Sequence, residues 1–235
     1  MEKVRSCRQC GTCCRAGGPA LHIEDMPLLK EGVLQLNDLC TFRAGELVRD
    51  TSDGLIVPLP AEIVKIAPSS GARPDDWACR FLTGDNRCFI HGSKPAECQA
   101  LFCEDPSALL SMQDHERLDR LGILQGLDAP AWLAESVESH ESRCSYARLA
   151  ELAENMDSDG EARRAFLETV EYDRQVRGLV AEKGRVRPEM LYFLFGRPLL
   201  KTIIMFGIDA RRNADGSTTL VQMATMPHSG GRAGL

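Results

Sequence analysis

The apolar positions of this chain follow two regimes that meet near residue 106. Before that point they come in short runs cut by turn residues. "GELVRDTSDGLIVPL" (45–59) reads as two β runs about Ser52-Asp53-Gly54. "IVPLPAEIVKIAP" (56–68) is apolar but broken by Pro58, Pro60 and Pro68. Proline lacks the N–H that helix and ladder interiors need, so this stretch is limited to short extended pieces or a brief helix. "CRFLTGDNRCFIH" (79–91) predicts a hairpin with Gly84-Asp85-Asn86 at its tip.

Beyond residue 106 the period becomes helical. Asp105-Pro106 marks a helix start, with proline at the first helical position. Asp128 ahead of "APAWLAESVESH" and Ser142 near "SYARLAELAENM" are the expected N-caps, because their side-chain oxygens can take the free first-turn N–H groups. Ser158 and Glu161 form a capping box before a long helix. In that helix Ala162, Phe166, Val170, Val176 and Val180 share one stripe, and Gly184 closes it. "PEMLYFLFG" and "RPLLKTIIMFG" predict two short apolar helices, and the sequence from Arg211 to "HSGGRAGL" a flexible tail. The expected fold is α+β, mainly α. A loop-rich cysteine-cluster module with short β-hairpins spans 1–106, a helical part packed on it spans 107–210, and a flexible tail spans 211–235.

Composition narrows the setting. A chain of 235 residues can bury a proper core, so it does not depend on disulfides to fold. "MEKVRSCRQCGT" has no apolar leader segment. "LLKTIIMFGI", interrupted by Lys201, is shorter than the roughly 18 apolar residues of a membrane span. The expected compartment is the reducing cytoplasm, with no membrane association. A net charge of −6 and no sustained basic run argue against nucleic-acid binding.

The cysteines carry the chemistry. Of the ten, nine lie at or before Cys103. In Cys7-x2-Cys10-x2-Cys13 the thiols recur every third residue, the spacing by which a short loop wraps a metal or cluster. Cys14 points away from Cys13 and is a spare or a ligand to a second site. A cluster on this loop needs at least one further ligand, and the candidates are Cys79, Cys88, Cys98 and Cys103, with eight, nine and four residues between successive members. Together these eight suffice for two four-cysteine sites, or for one site with reserves. Cys40 and Cys144 stand alone in their segments and read as small buried apolar residues. A dithiol redox pair at Cys7 and Cys10 competes, but such pairs sit on the strand–helix turn of a βαβ unit, and none precedes Cys7. Lys3, Arg5, Arg8 and Arg15 flank the loop and either offset thiolate charge or form a solvated face.

The run Cys7-x2-Cys10-Gly11-x-Cys13-Cys14, followed by "GGPALHIEDMPLL", "PAEIVKI" and "WACRFLTGDNRCFIHGSKPAECQALFC", resembles the cysteine-cluster family named for a CxxCxxCC motif (YkgJ-type). The resemblance covers about residues 5–106. It implies metal chelation by Cys7, Cys10, Cys13, Cys14, Cys79, Cys88, Cys98 and Cys103. A flagellin lysine N-methylase is similar in this module. The chain departs from the family pattern at Lys94-Pro95, where Arg-Pro is usual, and at His91, where an aromatic is common. Cys88-x2-His91 is ligand spacing, yet His91, like His22, reads first as a histidine making a local hydrogen bond.

Thiolate softness selects zinc and iron–sulfur alike. A structural zinc site usually comes as two Cys-x2-Cys knuckles, whereas this chain has a three-pronged loop with distant partners, which favours an iron–sulfur cluster of the 4Fe–4S type over zinc. Phosphate loops, dinucleotide fingerprints and nucleophile elbows are missing from the sequence. Glu62 and Asp105 are carboxylates near the cysteines, with nothing to set them apart as bases. Three readings follow: an iron–sulfur protein in electron transfer or in cluster-dependent modification of a protein substrate; a zinc-stapled module that binds a protein partner; and a thiol redox protein.

Overall fold

The computed structural model describes residues 7–49, 55–69, 77–214, 216 and 218–223. In the first hundred residues the elements are short: α1 (Thr12–Ala16), α2 (Met26–Lys30), β1 (Leu39–Phe42), β2 (Leu47–Arg49), β3 (Ile56–Pro58), β4 (Ile63–Ile66) and α3 (Ala96–Ala100). β2 and β3 pair antiparallel with Val48 opposite Val57, as the turn pattern predicts. The tip of that hairpin, Ser52–Gly54, lies outside the described residues. β4 pairs instead with β1, Cys40 opposite Lys65. Pro58, Pro60 and Pro68 all fall outside β4, so its ladder keeps every donor.

The helical part follows as α4 (Ser107–Leu110), α5 (Arg120–Gly126), α6 (Ala131–Cys144), α7 (Tyr146–Asn155), α8 (Gly160–Lys183), α9 (Met190–Phe195) and α10 (Leu199–Thr202). Apart from α5, which no pattern announces, the elements are the predicted ones, but the caps move, and Pro106 precedes α4 as its N-cap rather than opening it. Ser145, not Ser142, caps α7 by accepting from the Arg148 N–H, while Ser142 sits inside α6 and donates to the Ser139 carbonyl. Asp159, not Ser158, caps α8 through the Glu161 N–H at 2.8 Å. Asp128 adopts φ +49 in the turn before α6, which starts after Pro130 without a side-chain cap. The stretch from Arg211 is not loose throughout. β5 (Ile208–Arg212) and β6 (Thr218–Gln222) form an antiparallel hairpin, because Ile208 and Leu220 bury into the apolar cluster beneath. Residues 224–235 lie outside the described residues. The chain is thus mixed α+β, mainly α. Among the described residues no helix is long and apolar enough to cross a membrane.

The core forms two apolar clusters. The first joins both halves of the chain, with Leu21, Leu39, Val64 and Ile66 meeting Ile123, Leu133, Phe193 and Phe195. The β1–β4 pair is fixed to α9 by the Thr41 hydroxyl, which donates to the Phe193 carbonyl at 2.7 Å. The second cluster lies among α7, α8 and α10, around Tyr146, Leu149, Phe166, Val170 and Leu199. Ala162, Phe166, Val170 and Val180 are buried along α8 as the stripe predicts, but Asp173 and Arg177 are buried with them. The cysteine-rich segment therefore shares its core with the helices.

One glycine ties the cysteine loop to that core. The chain leaves α1 through Gly17 at φ +140, and a Cβ on Gly18 would sit 2.3 Å from the Ile66 carbonyl oxygen. The obstruction is β4 backbone, which cannot swing aside. Gly18→Ala is expected to lower stability by about 1–3 kcal/mol, the range for forcing atoms into a filled core. Gly84→Ala, where an added Cβ meets nothing within 4 Å, is expected to be near neutral. Urea midpoints of both variants against wild type check the pair, and equal midpoints for the two would refute the packing argument.

Candidate metal centre

The cysteine loop is wound tightly by left-handed backbone. Gln9 has φ +52, and Gly11, at φ +74, forms the N-cap of α1, which carries Cys13 and Cys14. Glycine suits that cap, since it adopts the conformation without the strain a side chain would add. The loop is held against the 79–91 hairpin from two sides. The Cys79 N–H donates to the Cys14 carbonyl at 2.7 Å, and the Arg15 guanidinium reaches the Cys10 carbonyl and the Asn86 side chain. The hairpin turns where predicted, with Leu82 bridged to Cys88 and Asn86 at φ +67.

Cys98 is positioned by α3, and α3 by a buried clamp. Glu97 accepts from the Ala20 N–H at 2.8 Å and meets His22 Nε2 at 3.2 Å. Asp25 accepts from the His22 and Ala96 N–H groups at 3.0 and 2.7 Å. Burial raises the Asp25 carboxyl above its ordinary range despite those bonds. The His22 ring is thus buried and bonded to Glu97, 75 residues away, rather than making the local hydrogen bond the sequence suggests. Single-sequence reading gave no sign that Asp25 and Glu97 brace Cys98, because the partners are more than 70 residues apart.

These supports bring four separate stretches to one place. Cys7, Cys10, Cys13, Cys14, Cys88 and Cys103 line a single cavity of about 20 Å³, together with His91. Cys79 and Cys98 stand behind it, close enough for their charges to act on Cys14, Cys88 and one another. Cys7, Cys10 and Cys103 are exposed, whereas Cys79 is buried. Cys40 and Cys144 are buried away from the cavity, as expected of apolar core thiols. His91 opens a one-turn 3-10 helix, but its Nε2 is buried without a hydrogen-bond partner, in place of the local bond expected. Glu62 belongs to Arg120, at 2.6 Å, and serves the core. Arg8 pairs with Glu104 on the surface, and Lys3 and Arg5 lie outside the described residues.

A repeated local device prepares the sulfurs. The N–H two residues on points back at the thiol: Gln9 to Cys7 at 3.4 Å, and Thr12, Phe81 and Ile90 to Cys10, Cys79 and Cys88. Such amides stabilise thiolate. At Cys10 the Thr12 side chain and N–H lower the thiol below its usual value. At Cys79 and Cys88 burial outweighs them and raises it. Burial, then the neighbouring Cys13, pushes Cys14 up to about 12, and burial, then Cys79, raises Cys98 as well. Thiols this close cannot all ionise unless a cation lies among them. The donors are soft and amide-supported, which suits a thiophilic metal. Among the described residues, though, no three of His, Cys, Asp or Glu are arranged to hold a metal ion without movement.

A family model described as "CxxCxxCC: Putative zinc- or iron-chelating domain" matches residues 6–115. The matched segment takes in the loop, the hairpin, α3 and α4, and stops before α5. No curated protein matches the chain, and no solved structure does.

Proposed function

We propose that the protein holds an iron–sulfur cluster of the 4Fe–4S type through thiolates drawn from the eight clustered cysteines, Cys7, Cys10, Cys13, Cys14, Cys79, Cys88, Cys98 and Cys103, and serves electron transfer to or from a protein partner. The observation that carries this reading is the convergence of six cysteines on one small cavity with two more behind it. Four thiolates would serve one zinc or one 4Fe–4S cluster alike, but structural zinc usually takes two Cys-x2-Cys knuckles, whereas a three-pronged loop with distant partners lines this cavity. The exposed Cys7, Cys10 and Cys103 leave one side of the site open to a partner, and Phe89, 80 % exposed beside Cys88, offers an apolar contact there. The cluster would supply one-electron chemistry. The chain supplies thiolate donors, amide hydrogen bonds and partial burial, which set the potential.

Anaerobically purified protein is expected to be brown, with about four irons and four sulfides per cluster. Colourless protein with stoichiometric zinc would replace this reading with a zinc-stapled binding module. Metal-free folded protein with titratable thiols would replace it with a thiol redox protein.

A further inference from the structure

Beside the β1–β4 pair and the β2–β3 hairpin lies an open groove of about 610 Å³, lined at one end by Gly17 and Gly18 as the chain leaves α1. That volume is typical of small-molecule sites, roughly 300–1,000 Å³. Leu47, Val57 and Ile63 give it aliphatic walls, and Phe42 and Trp77, 5.8 Å apart, an aromatic edge.

The charge is one-sided. The ionic residues lining the groove are Lys65, Arg117 and Arg197, and no carboxylate lines it among the described residues. Arg197 is balanced by buried Glu46 at 2.5 Å. Lys65 lies over the Phe42 ring at 5.7 Å, and neither it nor Arg117 meets a carboxylate within ion-pair distance among the described residues. Lys65 pairs with Ala20, and Arg117 with His22, on opposite sides of the same extended segment. Alternation along that segment places both cations on one sheet face. In a chain of net charge −6, two cations that meet no carboxylate among the described residues, beside an apolar wall, mark a place for an anion.

We propose that this groove binds a small amphipathic organic anion, its acid head at Lys65 and Arg117 and its apolar body along Leu47, Val57 and Ile63. A polyanion such as nucleic acid is disfavoured by the net negative charge and by the concave shape. The site is independent of which metal the cysteines hold.

Decanoate, decyl phosphate and neutral 1-decanol serve as probes, titrated into the protein as purified and followed by calorimetry and by tryptophan fluorescence, to which Trp77 and Trp132 both contribute. Saturable one-to-one binding of an anionic probe is expected, with decanol about tenfold weaker or worse, since a charge-assisted hydrogen bond is lost. The two anions separate a carboxylate from a phosphate preference. Lys65→Gln and Arg117→Gln should each weaken the anion by about tenfold and leave decanol unchanged. Arg117 is exposed, so that variant folds even if the half-buried Lys65 does not tolerate change. No saturable binding of either anion, equal binding of decanol, or unchanged affinity in Arg117→Gln would overturn the proposal.

Discussion

Serine at Cys10 or Cys13 is expected to cut bound metal by at least about tenfold, because a hard oxygen replaces a soft thiolate. Serine at Cys40 or Cys144 is expected to leave metal content unchanged. Burial pushes each of those two thiols up to about 12, and neither lines the cysteine cavity. Metal per chain, measured for the four variants side by side, decides the assignment, which fails if Cys144→Ser loses metal while Cys10→Ser retains it. The same ligands should carry local stability. Helix α1 buries no side chain and the hairpin gives the first apolar cluster only Cys79 and Ile90 as buried members, while metal binding contributes folding energy wherever the site is absent from the unfolded chain. Chelation should therefore raise hydrogen exchange in residues 7–16 and 79–103. β1, β4 and α9 share one apolar cluster with α5 and α6 and should keep their protection. Equal protection of the loops with and without metal would mean the metal has no structural role there.

The gathering of Cys7, Cys10, Cys13, Cys14, Cys88 and Cys103 at one cavity was the most legible feature of the candidate site, because cysteine spacing is local and thiols that close have few other uses. The α8 stripe was legible for the same reason: Phe166, Val170 and Val180 repeat at the helix period. Caps were misplaced where two competent residues stand together, as with Ser158 and Asp159. The choice there depends on backbone φ and ψ, which the sequence does not set. β1 escaped notice because "LCTF" is too short to show a period, and its partner β4 is more than 20 residues away. The β5–β6 hairpin was hidden by its polar composition, since only burial of Ile208 and Leu220 separates it from a loose tail. Buried charge was the largest omission. Asp173 and Arg177 continue the apolar stripe of α8 at the right spacing, and their polarity alone argued for the surface.

Loss of that buried charge is expected to be the costliest single change outside the metal site. Asp173 is 1 % exposed and takes three donors: Arg177 Nε at 2.8 Å, His140 Nε2 at 2.8 Å and the Leu199 N–H at 3.0 Å. Arg177 in turn donates to the Phe195 carbonyl at 2.9 Å, tying α8 to α9. Asp173→Ala leaves Arg177 buried without its counter-charge and should cost about 3–5 kcal/mol. Arg177→Met should cost a similar amount, and the double variant less than the sum, since neither charge is then left alone. Additive losses in urea unfolding would show that the pair is not coupled. The same contacts set a pH dependence. Burial lowers His140, so it is neutral in the fold and donates through Nε2. The unfolded chain takes up that proton near pH 6.5, so His140's contribution is complete above about 6.5 and declines as pH falls below it. For Asp173 burial acts upward, but the His140 hydrogen bond and the Arg177 charge prevail and hold the carboxyl low. Its contribution is complete above about pH 4 and is lost as pH falls through the depressed native value. Thiolate protonation also releases metal in acid, so the comparison is made with His140→Gln at equal metal occupancy. The variant keeps a donor for Asp173 and has no proton to gain. Its stability should be flatter than wild type between about pH 5 and 6.5. Identical slopes would remove His140 as the group responsible.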